Sequence, residues 1–408
     1  MSKKVLFVIN TLGRAGAETA MLELLRRMNS DEYQISLYVL MNQGELVHDI
    51  PNHVTLLNSN FNDRPVLTSQ GRKELLRFSL SRSLKHHSLI KNTGYILINL
   101  FRMIQQGQIH KDKLIWKIIS DGSDYFSEEF DIAIAYLEGG ATYYVANHVK
   151  AKTKIAFVHV DYHLAGYDRF LDQNCYREID HIFTVSDEVK SSFLNVYPEC
   201  ENRLSVFHNL LNKDRILDKS LQNEGFSDDY SGFRILTVGR LTIQKAFDVS
   251  IHAMKLLKEH GANVRWYVLG EGDQREFLEK LISELKLEKD FLLLGNQPNP
   301  YPYYKQTDLY VHASRFEGKS IAIQEAQILG CPILVSDCNG NREQVIDGVD
   351  GAVCELNAQS ICKHILELIN SPDLRTKYGN AASNKLQQNE AELEHFLNVI
   401  ESSDNTVS

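Results

Sequence analysis

At 408 residues the chain exceeds what one hydrophobic core usually organises, so two domains are expected. Its 43% apolar and 24% charged content is that of an ordinary globular protein, and a net charge of −9 excludes a general nucleic-acid binder. Six scattered cysteines, with no C-x-x-C and no ligand-spaced Cys/His cluster, suit reduced thiols in a cytosolic protein.

The first apolar run of MSKKVLFVIN stops after five residues, too short for the core of a secretory signal. No run of eighteen or more apolar residues predicts a membrane span. The β-branched KVLFVI (4–9) predicts a strand, NTLGRAGAET (10–19) a Gly-rich loop, and AMLELLRRM (20–28) a helix by its apolar spacing. Strands are predicted at QISLYVL (34–40), VTLLN (54–58), FDIAIAYL (130–137), TKIAFVH (153–159), HIFTVS (181–186) and LSVFHN (204–209). Helical stretches lie between most of them, which argues for a parallel sheet covered on both faces.

Segment 61–120 interrupts this pattern with eleven Lys and Arg against three Asp and Glu, a net +8, interleaved with large apolar residues. Such a segment is a candidate for an anionic membrane surface, the alternative being a helical cover of the sheet with a solvated basic face.

The polar stretch 212–232 reads as a linker between a first domain, 1–211, and a second, 233–385. The second domain repeats the alternation. Strands are predicted at RILTVG (234–239), VRWYVLG (264–270), FLLLG (291–295), LYVHAS (309–314) and CPILVS (331–336). Helices are predicted near 247–260, 273–286, 320–329, 341–347 and 358–370, and one more in the tail, about 386–404. The fold class is therefore α/β, with two doubly wound, Rossmann-like domains. Ligands of such domains bind at the carboxyl ends of the strands, so a cleft between facing domains is the expected site.

RILTVG ends in Gly239, and Arg240 and Lys245 follow before a helix. Two cations beside a helix N-terminus make an anion site suited to a phosphate; two solvated surface cations are the alternative. LYVHAS ends just before RFEGKS. There Gly318 lets the backbone approach a ligand, Ser320 is an expected N-cap, and Glu317 lies in the loop at the sheet's carboxyl edge. Glu325 falls about 8 Å further along the helix axis. Its neighbours Ile321, Ile323, Ala326, Ile328 and Leu329 argue against a solvent-facing acid. An acid there can accept hydrogen bonds from a ribose diol, and Glu317 can contact a sugar.

These residues resemble the retaining glycosyltransferases of family four, which have the GT-B fold. The resemblance lies in E-x7-E after Ser-Arg-Phe, with GRLTIQK upstream. LGRAGAET (12–19), KIAFVHVDY (154–162), IFTVSDEVK (182–190), LGEGDQREFLEKL (269–281) and GNQPNPYPYYKQTDLYVHASRFEG (295–318) extend it over nearly the whole chain. It implies that Arg240 and Lys245 hold the diphosphate of a donor, expected to be a UDP-sugar. Glu325 would bind the ribose, and Glu317 would lie near the donor sugar. The backbone N–H groups of Lys319, Ser320 and Ile321 would meet sugar hydroxyls and phosphate. Asn296, Gln297 and Tyr301 would line the base pocket. Gly16 would sit near the diphosphate, and His159 would contact donor sugar or acceptor. The final helix would cross back to the first domain.

Two positions depart from the family's pattern: Ala246 stands where Gly is common, and Glu317-Gly318-Lys319-Ser320 replaces E-G-F-G or E-G-x-P. Lys319 lies where donor selectivity is set. No D-x-D occurs, and the alternating His159, Asp161 and His163 are a weak ligand set, so no metal and no cofactor beyond the nucleotide-sugar co-substrate is expected. The implied activity is transfer to a glycan or lipid-linked acceptor in cell-surface polysaccharide synthesis, at the cytoplasmic side of the membrane. A GT-B nucleotide-sugar epimerase and a non-catalytic partner subunit are the alternatives.

Overall fold

A computed structural model describes residues 2–107, 111–222, 225–385 and 390–402. They form two compact units. The first runs to Leu210 and takes in the C-terminal helix Glu390–Ser402; the second starts at Leu211 and ends with helix Pro372–Lys385.

In the first unit seven strands form one parallel sheet. They are β1 (Lys3–Ile9), β2 (Tyr33–Val39), β3 (Val54–Leu56), β4 (Phe130–Ala135), β5 (Ala151–Val158), β6 (His181–Thr184) and β7 (Leu204–Val206). The order is β3-β2-β1-β4-β5-β6-β7. Runs such as Val5–Ile9 and Ile155–Val158 are buried because helices cover both faces of the sheet. Helix Glu390–Ser402 closes one face: Phe396 and Ile400 are fully buried, and Phe396 packs on Phe157, Phe183 and Phe207. Of the tail helix expected over about 386–404, residues 386–389 and 403–404 lie outside the described residues.

The second unit repeats the plan with β8 (Phe233–Val238), β9 (Val264–Leu269), β10 (Phe291–Gly295), β11 (Leu309–His312), β12 (Ile333–Ser336) and β13 (Ala352–Cys354). Their order is β10-β9-β8-β11-β12-β13, again all parallel.

Four local features differ from expectation. The loop 10–19 is shorter than predicted, because helix Gly16–Arg27 already begins at Gly16. The stretch 212–232, expected to be a linker, holds helix Lys213–Ser220, whose N-cap Asn212 accepts the Arg215 N–H at 2.9 Å. Asn299 Nδ2 donates to Lys219 O at 2.9 Å, tying this helix to the second unit; residues 223–224 lie outside the described residues. The edge strand β13 and helix Pro372–Lys385 were not predicted. Among the described residues, no helix is long and apolar enough to cross a membrane.

Candidate functional site

The winding of the second sheet reverses between the neighbours β8 and β11, where Ile235 pairs with Leu309 and Leu236 with Tyr310. At such a switch point the loops leaving the two strands diverge and open a crevice at their carboxyl ends. Here it brings Gly239 and Arg240 beside His312 and Ser314. Lys245 and Glu317, 72 positions apart, consequently meet: the Lys245 ammonium donates to Glu317 Oε2. His312 Nε2 lies 3.2 Å from Lys245 Nζ and 3.2 Å from Glu317 Oε2. Ser314 Oγ donates to the same carboxylate oxygen at 3.2 Å, and the Tyr310 hydroxyl lies 3.0 Å from His312 Nδ1.

This cluster is largely withdrawn from water, with the Lys245 and Glu317 side chains 13% and 11% exposed. Burial pushes the Glu317 carboxyl up, but the Lys245 charge and the His312 bond outweigh it and hold the group well below the usual range. Burial, helped by the Lys245 charge, pushes His312 down, while Glu317 opposes. A neutral His312 either donates from Nε2 to Glu317, or accepts from Lys245 at Nε2 and donates from Nδ1 to the Tyr310 oxygen. The result is a fixed ammonium at the mouth of the sheet.

Arg240 stands beside it, exposed and with no side-chain hydrogen bond or ion pair among the described residues. Its backbone is gripped from LGEGD: a Cβ at Gly270 would sit 1.9 Å from Gly239 O, and one at Gly272 would sit 2.2 Å from Leu241 O. The Thr242 hydroxyl, in the same turn, is buried without a partner. Ala246 takes the left-handed conformation (φ 46, ψ 37) in which glycine is favoured, so the family-typical glycine has a backbone reason.

Glu325 lies in helix Ile321–Ile328 and is buried. Its Oε1 accepts from the Tyr301 hydroxyl and its Oε2 from the Tyr304 hydroxyl, both at 3.1 Å. Burial pushes its carboxyl up to about 7, with the two tyrosines opposing. Tyr301 therefore joins Glu325. Asn296 keeps a buried Nδ2 without a partner, while Gln297 Nε2 donates to Leu294 O at 3.0 Å.

The Ser320 backbone N–H, expected to face a ligand, instead donates to Gln344 Oε1 at 2.7 Å; Gln344 Nε2 returns a bond to Ser320 O at 2.8 Å. Ser320 occupies the N-cap position, but its hydroxyl makes no capping bond. The N–H of Ile321 opens the helix, and Lys319 and Gly318 precede it. A Cβ at Gly340 would lie 1.9 Å from Gly318 O, so helix Asn339–Gln344 backs the Glu317–Gly318 turn at van der Waals range.

In the first unit, Gly16 opens helix Gly16–Arg27, whose N-cap Ala15 has no side chain to cap it. His159 follows β5, and its backbone N–H donates to Glu138 Oε2 at 2.9 Å. Its ring lies 5.2 Å from that of Tyr136, and its Nε2 is buried without a hydrogen-bond partner. Burial pushes this histidine down to about 4, with the Tyr136 carbonyl opposing. Asp161 turns away, accepting from Ser192 Oγ at 2.7 Å and the Leu164 N–H at 2.9 Å. Among the described residues, no group of three or more His, Cys, Asp and Glu gathers as a metal site.

Sequence reasoning missed His312, Ser314, Tyr304 and Gln344. His312 and Ser314 are two apart at a strand end, on one face, and Tyr301 and Tyr304 are three apart on one short helix. Those spacings were the available signals.

Residues 225–385 match the family model for glycosyl transferases group 1. Among curated relatives, a Campylobacter jejuni enzyme is 29% identical over 220 residues, 53% of this chain and 58% of that protein. It is named N-acetylgalactosamine-N,N'-diacetylbacillosaminyl-diphospho-undecaprenol 4-alpha-N-acetylgalactosaminyltransferase. The amylovoran biosynthesis glycosyltransferase AmsD of Erwinia amylovora is 21% identical over 387 residues, 93% of each chain. The first relatives are matched over 43% to 58% of their own length. The crystal structure of Anabaena HepE with UDP and glucose is similar with a TM-score of 0.68 at 16% identity, over 98% of this chain and 100% of that one. WaaG, a glycosyltransferase involved in lipopolysaccharide biosynthesis, gives 0.59 at 15%, over 97% and 99%. These likenesses show the fold, the two-unit GT-B architecture.

Proposed function

We propose that the chain is a retaining glycosyltransferase that moves a sugar from a UDP-sugar to a glycan or lipid-linked acceptor in cell-surface polysaccharide synthesis. The observation that carries this reading is the convergence of Lys245 and Glu317 at the switch point of the second sheet, with the unpartnered Arg240 beside them. Arg240 and Lys245 hold the diphosphate and stabilise the charge that develops on it as the sugar leaves. Lys245 reaches the phosphates from a position that Glu317 and His312 fix in advance. Glu325 takes the ribose hydroxyls, sharing its oxygens with Tyr301 and Tyr304, and Asn296 offers its Nδ2 to the base. Glu317 lies at the sugar end, where Gly318, Lys319 and the Ile321 N–H complete the donor contacts.

His159 presents its Nε2 to a sugar hydroxyl, and Gly16 offers a helix N-terminus to an anion. The acceptor hydroxyl attacks the face that the diphosphate leaves, and its proton passes to the departing phosphate. Two cations and a helix terminus do the work of a metal, and the reaction runs at the cytoplasmic side of the membrane. Relatives named for undecaprenol-linked and amylovoran substrates, and structures holding UDP and glucose, support the choice of donor and acceptor class.

Incubation with a panel of nucleotide sugars, with released nucleotide as the readout, tests the reading. Release of UDP from one UDP-sugar, accelerated by an acceptor glycan, is expected. An epimerised donor with no nucleotide released would replace the transferase by an epimerase. No turnover of any donor would sink both.

A further inference from the structure

The basic segment 61–120 holds two classes of cation. One class is paired with carboxylates of the first unit. Arg82 is buried, bonded to Asp124 at 2.6 Å and stacked over Phe78 at 4.8 Å. Lys85 bonds to Asp124 as well, Lys117 to Asp121 at 2.9 Å, Arg64 to Glu74 at 2.9 Å, and Arg102 to Asp168 at 3.4 Å. The other class is Arg72, Lys73, Arg77 and Lys91, exposed and with no side-chain hydrogen bond or ion pair among the described residues.

The apolar residues divide in the same way. On helix Ser69–Leu84, Leu75 and Phe78 pack into the core, whereas Leu76, Leu80 and Leu84 point outward with Lys73 and Arg77 among them. On helix Thr93–Gln106, Tyr95 and Met103 face in, and Leu97, Ile98, Phe101 and Ile104 face out. Leu89 and Ile90 stand exposed between the two helices. Nine of the seventeen exposed large apolar side chains among the described residues fall between Leu76 and Ile104. A helix that is apolar on two sides is normally covered on two sides. Among the described residues one cover is present and the other is not.

We propose that the outer faces of these two helices dock onto an anionic lipid bilayer. Lys73, Arg77, Arg72 and Lys91 meet lipid phosphates, and the Leu, Ile and Phe side chains enter the boundary between headgroups and acyl chains. Charge selects this occupant over a second copy, which would set one +8 segment against another. It also sets the orientation, because the chain's net −9 leaves −17 on the remainder, which an anionic surface repels. Composition selects it over a protein partner: protein interfaces are depleted in Lys and rich in Tyr and Trp, whereas this face exposes Lys73 and Lys91 among Leu and Ile and neither Tyr nor Trp.

The test is co-sedimentation of the full chain with vesicles of phosphatidylcholine alone or mixed with phosphatidylglycerol. Pelleting is expected only with the anionic vesicles, falling about tenfold or more from low to high salt. One variant reverses Arg72→Glu, Lys73→Glu, Arg77→Glu and Lys91→Glu; a second carries Leu80→Ser, Leu84→Ser, Ile98→Ser and Phe101→Ser. Both should lose pelleting and keep the wild-type melting temperature, since each altered side chain is exposed. Arg82 and Lys85 are left intact because they hold the helices in place. Equal pelleting with both vesicle types, no pelleting with either, or wild-type pelleting of both variants would overturn the proposal. So would a lipid-free dimer that the apolar variant abolishes, which would assign the face to a second copy. The readout is binding alone, so its failure leaves the transferase reading standing.

Discussion

Replacing Lys245 by Met should reverse the pH dependence of the second unit's stability. In the wild type, Lys245 and Glu317 are 13% and 11% exposed and bonded to each other. Removing one partner of a buried pair leaves an uncompensated charge, at a cost of about 3–5 kcal/mol. Glu317 is held below the usual carboxyl range, so its contribution to wild-type stability is present above that range and is lost as pH falls through it. In Lys245→Met only burial remains as the dominant influence, and it raises the carboxyl. The variant should therefore be about 3–5 kcal/mol weaker than wild type at pH 8. The gap should close by roughly 1.4 kcal/mol for each pH unit over which the raised group protonates. Lys245→Met with Glu317→Gln should regain most of the loss, because no buried charge is then unpaired. Urea unfolding read by Trp266, fully buried in the second unit, isolates the effect if Trp116 is first changed to Phe. A gap that does not change with pH, or a double variant as weak as the single one, would refute the reasoning.

Arg240→Ala or Lys245→Ala should each lower transferase turnover about 10²-fold or more, measured as nucleotide release, while wild-type turnover in both would remove them from the diphosphate site. Burial pushes the Glu325 carboxyl up to about 7. Being raised, its contribution to stability is full below the ordinary carboxyl range and is lost as pH rises through 7. Its capacity to accept ribose hydroxyls as a carboxylate runs the other way. Calorimetry should show UDP-sugar affinity weakening roughly tenfold from pH 8 to pH 6 in the wild type and staying flat in Glu325→Gln; a parallel slope in both would count against the assignment. Ala246→Gly should be near neutral in chemical denaturation. Relief of a left-handed alanine, roughly 1–2 kcal/mol, offsets the lost methyl burial and the added chain freedom. Ala253→Gly, equally buried but inside helix Phe247–Glu259, lacks that relief and should cost about 1.5–2 kcal/mol. Equal losses at the two positions would contradict the backbone argument.

Both sheets were legible because each central strand is a short β-branched run bounded by turn residues, as in KVLFVI and RILTVG. Strand β13, three residues at an edge, is too short to carry a pattern. Helix Lys213–Ser220 was hidden because Ile216 and Leu217 are its only large apolar residues, and its docking depends on Asn299, about eighty positions away. In the candidate site, residue types and spacing singled out Arg240, Lys245, Glu317 and Glu325. The partners that fix them come from elsewhere in the chain. Gln344 takes the Ser320 N–H from 24 positions away, and His312 meets Lys245 across 67. In segment 61–120 the charge count was visible but the helical phase was not. The phase turns Arg82 inward and leaves Lys73 and Arg77 outside.

Calorimetric titration of UDP into the full chain in the presence of EDTA tests the central claim most directly. The claim is that Arg240, Lys245 and Glu325 build a nucleotide-diphosphate site that needs no metal. Saturable binding at one site, weakened at least tenfold by Arg240→Ala and by Glu325→Gln, is the predicted result. Absence of binding, or binding that appears only when Mg²⁺ or Mn²⁺ replaces EDTA, would contradict it.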